Sequence, residues 1–471
     1  MRGAAVEADA LLREIVEYCR NAGVAESTFG RFAVNDGKFV NRLREGGRIT
    51  TATAERVRSY ISRDARPNGR AARRLLIDSA ANPRRPITPA DPQEPPAHVG
   101  RNFRFFDNRQ KYQLFVSTCS EKSVVAQRVA MELVNIHPTP PAVRVFDAGF
   151  GDGTVLIRVM RAMHKRFPTM PFYIVGKEIS VEHVRMTLER MADRFFEHPS
   201  TVLVLTNLNY AEAPSLAPTS MAAATSLVWH EVGLTGATSH EFEEQIAALG
   251  PFLAENWRVN IDPATGNPVY ARPTVLVLYR DDHRFLLESV IPRRGGSDAG
   301  YDLVIASQPY RAAARLEFKA SRVIVPLARS LAPGGRLLAI HSRGDDPGLE
   351  ILQRMWPGEN PFVHDRHQML KAVKEALGPA ARNLNFNAYS DARSLFRFDM
   401  HALPSELSAS IGTSMLFAAW NAAIYVGQVD DARLEDAMGD RRYLEVTGDV
   451  LRKHNGLWFQ DESYIISRHR D

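Results

Sequence analysis

A doubly wound α/β sheet with insertions, preceded by a small all-α unit, is the fold the sequence predicts, on three observations. After about residue 100, strand-like apolar runs alternate with amphipathic helical runs. The first of those strands, VRVFDA (143–148), leads straight into a glycine-rich turn and then a helix. Before residue 65 the apolar residues follow helical spacing alone, and a Pro- and Arg-rich stretch separates the two patterns.

From Ala5 to about Asp64, Leu11, Leu12, Ile15, Val16 and Cys19 fall on one face of a first helix, which Asn21-Ala22-Gly23 stops. AESTFGRFAV (25–34), the turn NDG (35–37), KFVNRLREGG (38–47) and TTATAERVRSYISRD (50–64) follow, with threonines placed to cap the last helix. Several short helices in this length match a small helix-turn-helix domain. Over 65–100, Pro67, Pro83, Pro86, Pro89, Pro92, Pro95 and Pro96 mix with arginines and read as an extended linker. The organisation expected is a helical unit over 1–64, a linker over 65–100 and an α/β domain over 101–471. In that domain the strands expected are 143–148, 172–178, 201–206, 226–231, 274–279, 302–307 and 336–342, with 414–428 and 458–468 closing the sheet.

Composition bounds the function classes. The chain of 471 residues is 45% hydrophobic and 24% charged, which excludes a wholly disordered or coiled-coil chain. No run approaches the length of a membrane span, and acids stand where a secretory signal needs apolar residues, so no membrane partner and a cytoplasmic location are expected. Cys19 and Cys119 are the only cysteines; they lack metal-ligand spacing and read as small buried hydrophobes. The net charge is +5, yet the first 86 residues alone hold 17 Lys/Arg against 10 Asp/Glu. A basic end on a near-neutral body suggests a polyanionic partner such as nucleic acid.

The sharpest motif is the run Asp147-Ala148-Gly149-Phe150-Gly151-Asp152-Gly153-Thr154 between strand and helix. Such a turn lets backbone amides approach a ligand and presents the positive end of a helix, which suits a nucleotide-like molecule. A dinucleotide-binding GxGxxG needs glycine at 154, where Thr154 stands. The spacing DxGxGxG resembles motif I of class I (Rossmann-like) S-adenosylmethionine-dependent methyltransferases. The resemblance spans roughly 100–471 and implies their seven-stranded-type sheet, S-adenosylmethionine as cofactor, S-adenosylhomocysteine as product, and no metal. It places Asp147 near the methionine amino group and the cofactor against Gly149, Phe150, Gly151 and Gly153. IVGKEISVEHV (174–184) resembles the family's second motif, with Glu178 accepting from both ribose hydroxyls and Ile179 beside it. A carboxylate suits that role because it only accepts and can take two donors at once. Asn207 stands where the family commonly has Asp for the adenine amine; turn formation is its competing role. The segment before the first strand, 103–123, often folds over the cofactor in this family, and an amphipathic packing helix is the other reading.

At the end of a later strand, DLVIASQPY (302–310) precedes a helix and then APGGRLLAIHSRG (332–344). Ser307-Gln308-Pro309-Tyr310 resembles the motif of amine methyltransferases, with Gln308 replacing its first proline. The Ser307 hydroxyl and the carbonyl of Gln308 would accept the amine protons and favour a pyramidal nitrogen, while Tyr310 would stack on a planar substrate. A second candidate for this strand end is SLVWHEVGLTG (226–236), with His230 as a base near neutral pH. His364 and His367 read as surface loop. Residues 5–64 resemble lambda-repressor-like helix-turn-helix regulators, which implies a recognition element carrying Lys38, Asn41, Arg42 and Arg44. The expected function is methylation of an amine of a nucleic acid base. The alternatives are a small-molecule or protein side-chain methyltransferase, and a DNA-binding regulator that senses the cofactor.

Overall fold

The computed structural model describes residues 3–22, 26–34, 36, 38–44, 49–64, 109–262, 267–295, 299–402, 404–407, 411–439 and 441–470. The chain divides into two compact units, Met1–Pro96 and Ala97–Asp471. The stretch 65–100 read as a linker, and the aromatic run 103–106, lie outside the described residues.

In the first unit, helices α1 (Gly3–Ala22), α2 (Glu26–Val34), α3 (Phe39–Arg44) and α4 (Thr51–Asp64) enclose a core of Leu11, Ile15, Phe29, Val40, Leu43 and Val57. The helical spacing put Leu11, Ile15 and Cys19 on the inward face of α1, and all three are buried. Thr50 caps α4, accepting from the N–H of Thr53 at 3.3 Å.

The second unit is built on one large sheet. Its strands are β1 (Val143–Asp147), β2 (Phe172–Lys177), β3 (Thr201–Thr206), β4 (Val228–Leu234), β7 (Thr274–Arg280), β8 (Tyr301–Ser307), β9 (Leu331–Ser342), β10 (Leu384–Asn387), β11 (Leu395–Asp399) and β12 (Trp458–Arg468). A separate ribbon pairs β5 (Val259–Ile261) with β6 (Pro268–Tyr270). The order is β10-β12-β9-β8-β1-β2-β3-β7-β4, with β11 also on β12. The five central strands β3, β2, β1, β8 and β9 are mutually parallel. They are buried on both faces, which is why they read as near-continuous apolar runs. In β1 the alternation sends Val143 and Val145 to one layer and Phe146 to the other. The first layer includes Leu156, Val159 and Met163 of the helix after the glycine turn, and the second Val323, Ile324 and Leu327 of the helix after β8.

The connections run outward from β1, through β2 to β3 on one side and from β8 to β9 on the other. The switch point therefore falls between β1 and β8, where ligands of such sheets bind at the carboxyl ends of the strands. The sheet departs from a dinucleotide-binding one beyond β9, where β12 is antiparallel. Residues 207–300 form an insertion that adds β7 and β4 beyond β3, with β7 antiparallel to β3. The candidate 226–236 therefore lies on the far edge strand β4, and the strand beside β1 is β8. On β4, His230 stacks on Phe252 and Glu231 accepts from the Tyr279 hydroxyl at 2.6 Å.

The strand expected over 336–342 begins earlier, at Leu331, so Pro333-Gly334-Gly335 lies inside β9, where Gly334 at φ 77° marks an irregularity of register against β8. Residues 458–468 form β12 as expected, between β9 and the outer β10 and β11, whereas 414–428 is largely the helix Thr413–Val426. That helix packs with Pro347–Met355, Arg442–His454 and α5 (Arg109–Thr118) around a third core of Phe115, Ile351, Trp420 and Tyr425.

Candidate active site

The glycine turn joins β1 to helix α7 (Thr154–Arg166), which follows α6 (Glu121–Ala130) in the helical series. Gly151 sits at φ 55° and Gly153 at φ 78°, in the left-handed region that favours glycine. Gly153 also has no room for a side chain, since a Cβ there would lie 2.8 Å from Thr187 Oγ1, on helix α8 (Val181–Glu189). The Thr187 hydroxyl donates to the Gly151 carbonyl at 3.0 Å and fixes the turn. Gly149 is different: a Cβ there would meet nothing within 4 Å, so this backbone faces open space.

Two carboxylates flank the turn on neighbouring strands. Asp147 ends β1 and accepts from the Gly149 N–H at 3.2 Å. Glu178 follows β2 and accepts from Ile179 N at 2.8 Å, Ser180 N at 2.9 Å and Gly151 N at 3.2 Å. Trp257, from the insertion, anchors the Glu178 carbonyl through its indole N–H at 2.9 Å. Their electrostatics diverge. Burial pushes the Asp147 carboxyl up to about 7, with Glu178 adding to the push and the Gly149 N–H opposing it. Burial also pushes Glu178 upward, but His183 at 3.5 Å, Lys177 and the backbone donors outweigh it and hold this carboxylate at about 2.

Of the residues read as cofactor contacts, Asp147, Gly149, Gly151, Gly153, Glu178 and Ile179 come together around this turn. Two readings are corrected. The Phe150 ring is 3% exposed, belongs to the layer packed under the sheet and lies against Gly176, so only its backbone serves the turn. Asn207 is buried and its amide is tied into the fold: Oδ1 accepts from Thr274 N at 2.8 Å, while both Nδ2 hydrogens are committed, to the carbonyls of Arg272 at 2.9 Å and Asn256 at 3.4 Å. It ties the end of β3 to the start of β7, and the insertion is what claims it.

Ser307 ends β8, so the structure brings the Ser307-Gln308-Pro309-Tyr310 turn to the switch point beside Asp147. Gln308 adopts φ 48°, rare for a non-glycine residue. Its amide is locked to the neighbouring strands, donating to Ser342 Oγ at 3.0 Å and Asp461 Oδ1 at 3.3 Å and accepting from Ser342 N at 3.3 Å. These bonds hold the unusual backbone. The Pro309 carbonyl accepts from the Tyr210 hydroxyl at 2.7 Å. Tyr310 corrects another expectation. It is 7% exposed, and its hydroxyl lies 2.6 Å from His341 Nδ1 and 3.3 Å from the Tyr464 hydroxyl, so its ring is part of the interior and offers no stacking platform.

Of the residues that surround these carboxylates, sequence reasoning missed Lys177, His183 and Tyr210, whereas Tyr112 and Lys122 fall in the 103–123 segment. Lys177 lies over the Tyr210 ring at 4.8 Å, and burial pulls its ammonium below the usual range. From α5, the Tyr112 hydroxyl accepts from Asp152 N at 3.3 Å and its ring stands 4.6 Å from that of His183. Lys122, on α6, pairs with Glu121 at 3.0 Å; burial opposes its charge, but Glu121, Tyr425 and Asp152 outweigh it and hold the ammonium above its usual range. Residues 109–123 thus lie beside the glycine turn and are held by the C-terminal helices: Asn421 donates to the Lys111 carbonyl at 2.9 Å. Pattern alone could not find these, because most of their partners lie outside any local window: Tyr210 is 33 residues from Lys177, Asp152 is 40 from Tyr112, and Asn421 is 310 from Lys111.

In the first unit Lys38, Asn41, Arg42 and Arg44 are all exposed on or beside α3. Arg42 pairs with Asp36 at 2.7 Å and Arg44 with both oxygens of Glu26 at 2.8 Å, so both arginines already have partners within the unit.

No family model matches the chain, and no curated protein matches it. Solved structures similar to it include three methyltransferase-fold proteins. One, from Galdieria sulphuraria, is assigned as a sarcosine dimethylglycine methyltransferase (11% identity, 74% of this chain and 86% of that chain, TM-score 0.31). Another is a geranyl diphosphate methyltransferase in complex with its substrate and sinefungin (12% identity, 74% and 78%, TM-score 0.28). A third is the plantazolicin methyltransferase BpumL in complex with S-adenosylhomocysteine (10% identity, 78% and 92%, TM-score 0.27). At such identities and TM-scores the likeness does not bear on activity, and the site has to be read from its own geometry.

Proposed function

We propose that this chain is an S-adenosylmethionine-dependent methyltransferase acting on an amine. The observation that carries the reading is the pair of buried carboxylates, Asp147 and Glu178, on the ends of adjacent parallel strands around a glycine turn at the switch point. A dinucleotide would bring a pyrophosphate to that turn, where the Asp147 carboxylate repels it; an acid at the end of the second strand suits the ribose of either ligand. S-adenosylmethionine has the opposite polarity: its ribose hydroxyls donate to Glu178, and its ammonium and sulfonium are cations that Asp147 favours. The departure of β12 from a dinucleotide-binding sheet supports the same choice.

The methyl acceptor meets the Ser307-Gln308 turn. S-adenosylmethionine, when bound, would supply an electrophilic methyl group for direct displacement by the amine lone pair, its sulfur taking the electrons of the broken bond while the nitrogen loses one proton. The Ser307 hydroxyl and the Gln308 carbonyl would orient that amine, and positioning would supply much of the acceleration. With Tyr310 turned inward, no stacking residue among the described residues supports a nucleic acid base as the acceptor, and the acceptor is taken here as an amine without a base specified.

Calorimetric titration with S-adenosylhomocysteine tests the cofactor assignment. Binding is expected, and Glu178→Ala should weaken it by at least about tenfold, the loss that follows removal of a charged hydrogen-bond partner. No binding to the intact protein, or equal affinity in a folded Glu178→Ala variant, would overturn it.

A further inference from the structure

Behind the reacting turn lies a small cavity of about 10 Å³, walled in part by Gln308, Tyr310, Lys319, His341, Ser342 and His364, with no aspartate or glutamate in its lining. This volume has room for about one oxygen atom. His364, read from the sequence as surface loop, is half-buried here. Lys319 begins a π-helical turn, Lys319–Ile324, a local irregularity that recurs at functional positions.

Lys319 is the unusual member. It is 3% exposed, and its Nζ donates to the Ala312 carbonyl at 2.6 Å, stands 3.3 Å from His364 Nδ1 and lies 5.1 Å from the centre of the Tyr310 ring. All three are neutral acceptors, and among the described residues no carboxylate pairs with it. A buried ammonium without a counter-ion is costly, and burial accordingly pulls this one down to about 8. The nearby Glu462 does not relieve it, because that carboxylate is engaged beyond the imidazole, with His341 Nε2 at 2.8 Å and Arg366 Nη1 at 3.1 Å. Since His364 Nδ1 faces the ammonium as acceptor, the neutral ring carries its hydrogen on Nε2. The cavity wall therefore holds a cation without a carboxylate partner and a second N–H, and it also includes Gln308, the chain neighbour of Ser307.

We propose that this cavity is an anion-recognition subsite that takes one oxygen of a carboxylate or phosphate group of the methyl acceptor, on Lys319 and His364. The anion completes the ion pair that Lys319 lacks, and the adjacent turn then meets an amine on the same molecule. That the anion belongs to a methyl acceptor rests on the function proposed above; the anion site itself does not.

The test is an NMR titration of the full chain carrying isotope-labelled histidine, with sodium acetate and, separately, inorganic phosphate, at ionic strength held constant with chloride. The His364 resonance, assigned by its loss in His364→Gln, is expected to shift saturably with one of the anions. A response to acetate identifies a carboxylate, and a response to phosphate a phosphate group. Lys319→Met should remove the saturable shift; should that variant not fold, Lys319→Gln reads the same loss of charge. No saturable shift with either anion, or an unchanged response without the lysine, would overturn the proposal. S-adenosylhomocysteine titration of the same samples reads the cofactor site separately: an anion response without cofactor binding would sink the methyltransferase reading and leave this subsite standing.

Discussion

Replacing Asp147 with Asn should stabilise the ligand-free protein while weakening its hold on the cofactor. The carboxyl is 3% exposed and raised to about 7 from an ordinary 3.8. Between these values the folded chain keeps a proton that the unfolded chain has released, so its stability falls as pH rises through that window. A shift of about three units sets a ceiling of about 4 kcal/mol on that loss. Asparagine keeps the shape without the charge, and because its amide must find its own partners, about 2 kcal/mol of the ceiling should be recovered. Urea denaturation of the two proteins at about pH 4 and about pH 8 measures it: the advantage of Asp147→Asn should be near zero at the lower pH and full at the higher. In the same protein S-adenosylhomocysteine affinity should drop, because the ligand's ammonium loses its counter-charge. A variant that is less stable at pH 8, or whose advantage does not change with pH, would refute the reasoning that this carboxylate is held at an energetic cost for a cation.

Gly153→Ala should cost about 2–3 kcal/mol, from a left-handed backbone that alanine disfavours and a Cβ driven against Thr187; unchanged urea stability would refute the strain argument. Asn207→Ala should cost about 1–3 kcal/mol by stranding the buried Thr274 N–H and leaving the Arg272 and Asn256 carbonyls to share the Thr274 hydroxyl, yet leave S-adenosylhomocysteine affinity nearly intact; a large affinity loss in a protein of normal stability would restore the adenine role. Glu178 is held at about 2 against an ordinary 4.5, so it contributes stability above about pH 4.5 that is lost as pH falls toward 2. Glu178→Gln should flatten the acid limb of the stability profile, and an unchanged acid limb would count against the network drawn around it.

The parts of this protein that the sequence by itself determined are those where local chemistry and period suffice. The helical face of Leu11, Ile15 and Cys19, the buried runs that became β1, β2, β3, β7 and β8, and the glycine turn with Asp147 and Glu178 on its flanks were legible because each depends on residues within a few positions of one another. Only the tertiary structure decided which strand lies beside β1, since 226–236 and 302–310 both end apolar runs and pairing alone separates an edge strand from a central one. It also reassigned Phe150, Asn207, Tyr310 and His364, because a side chain's role follows from the partners that reach it. Thr274 claims Asn207 from 67 residues away, and Asp461 approaches Gln308 from 153. Such contacts leave no periodicity in the chain. The sheet and its turn follow from short-range pattern, whereas the lining of the site is set by long-range packing.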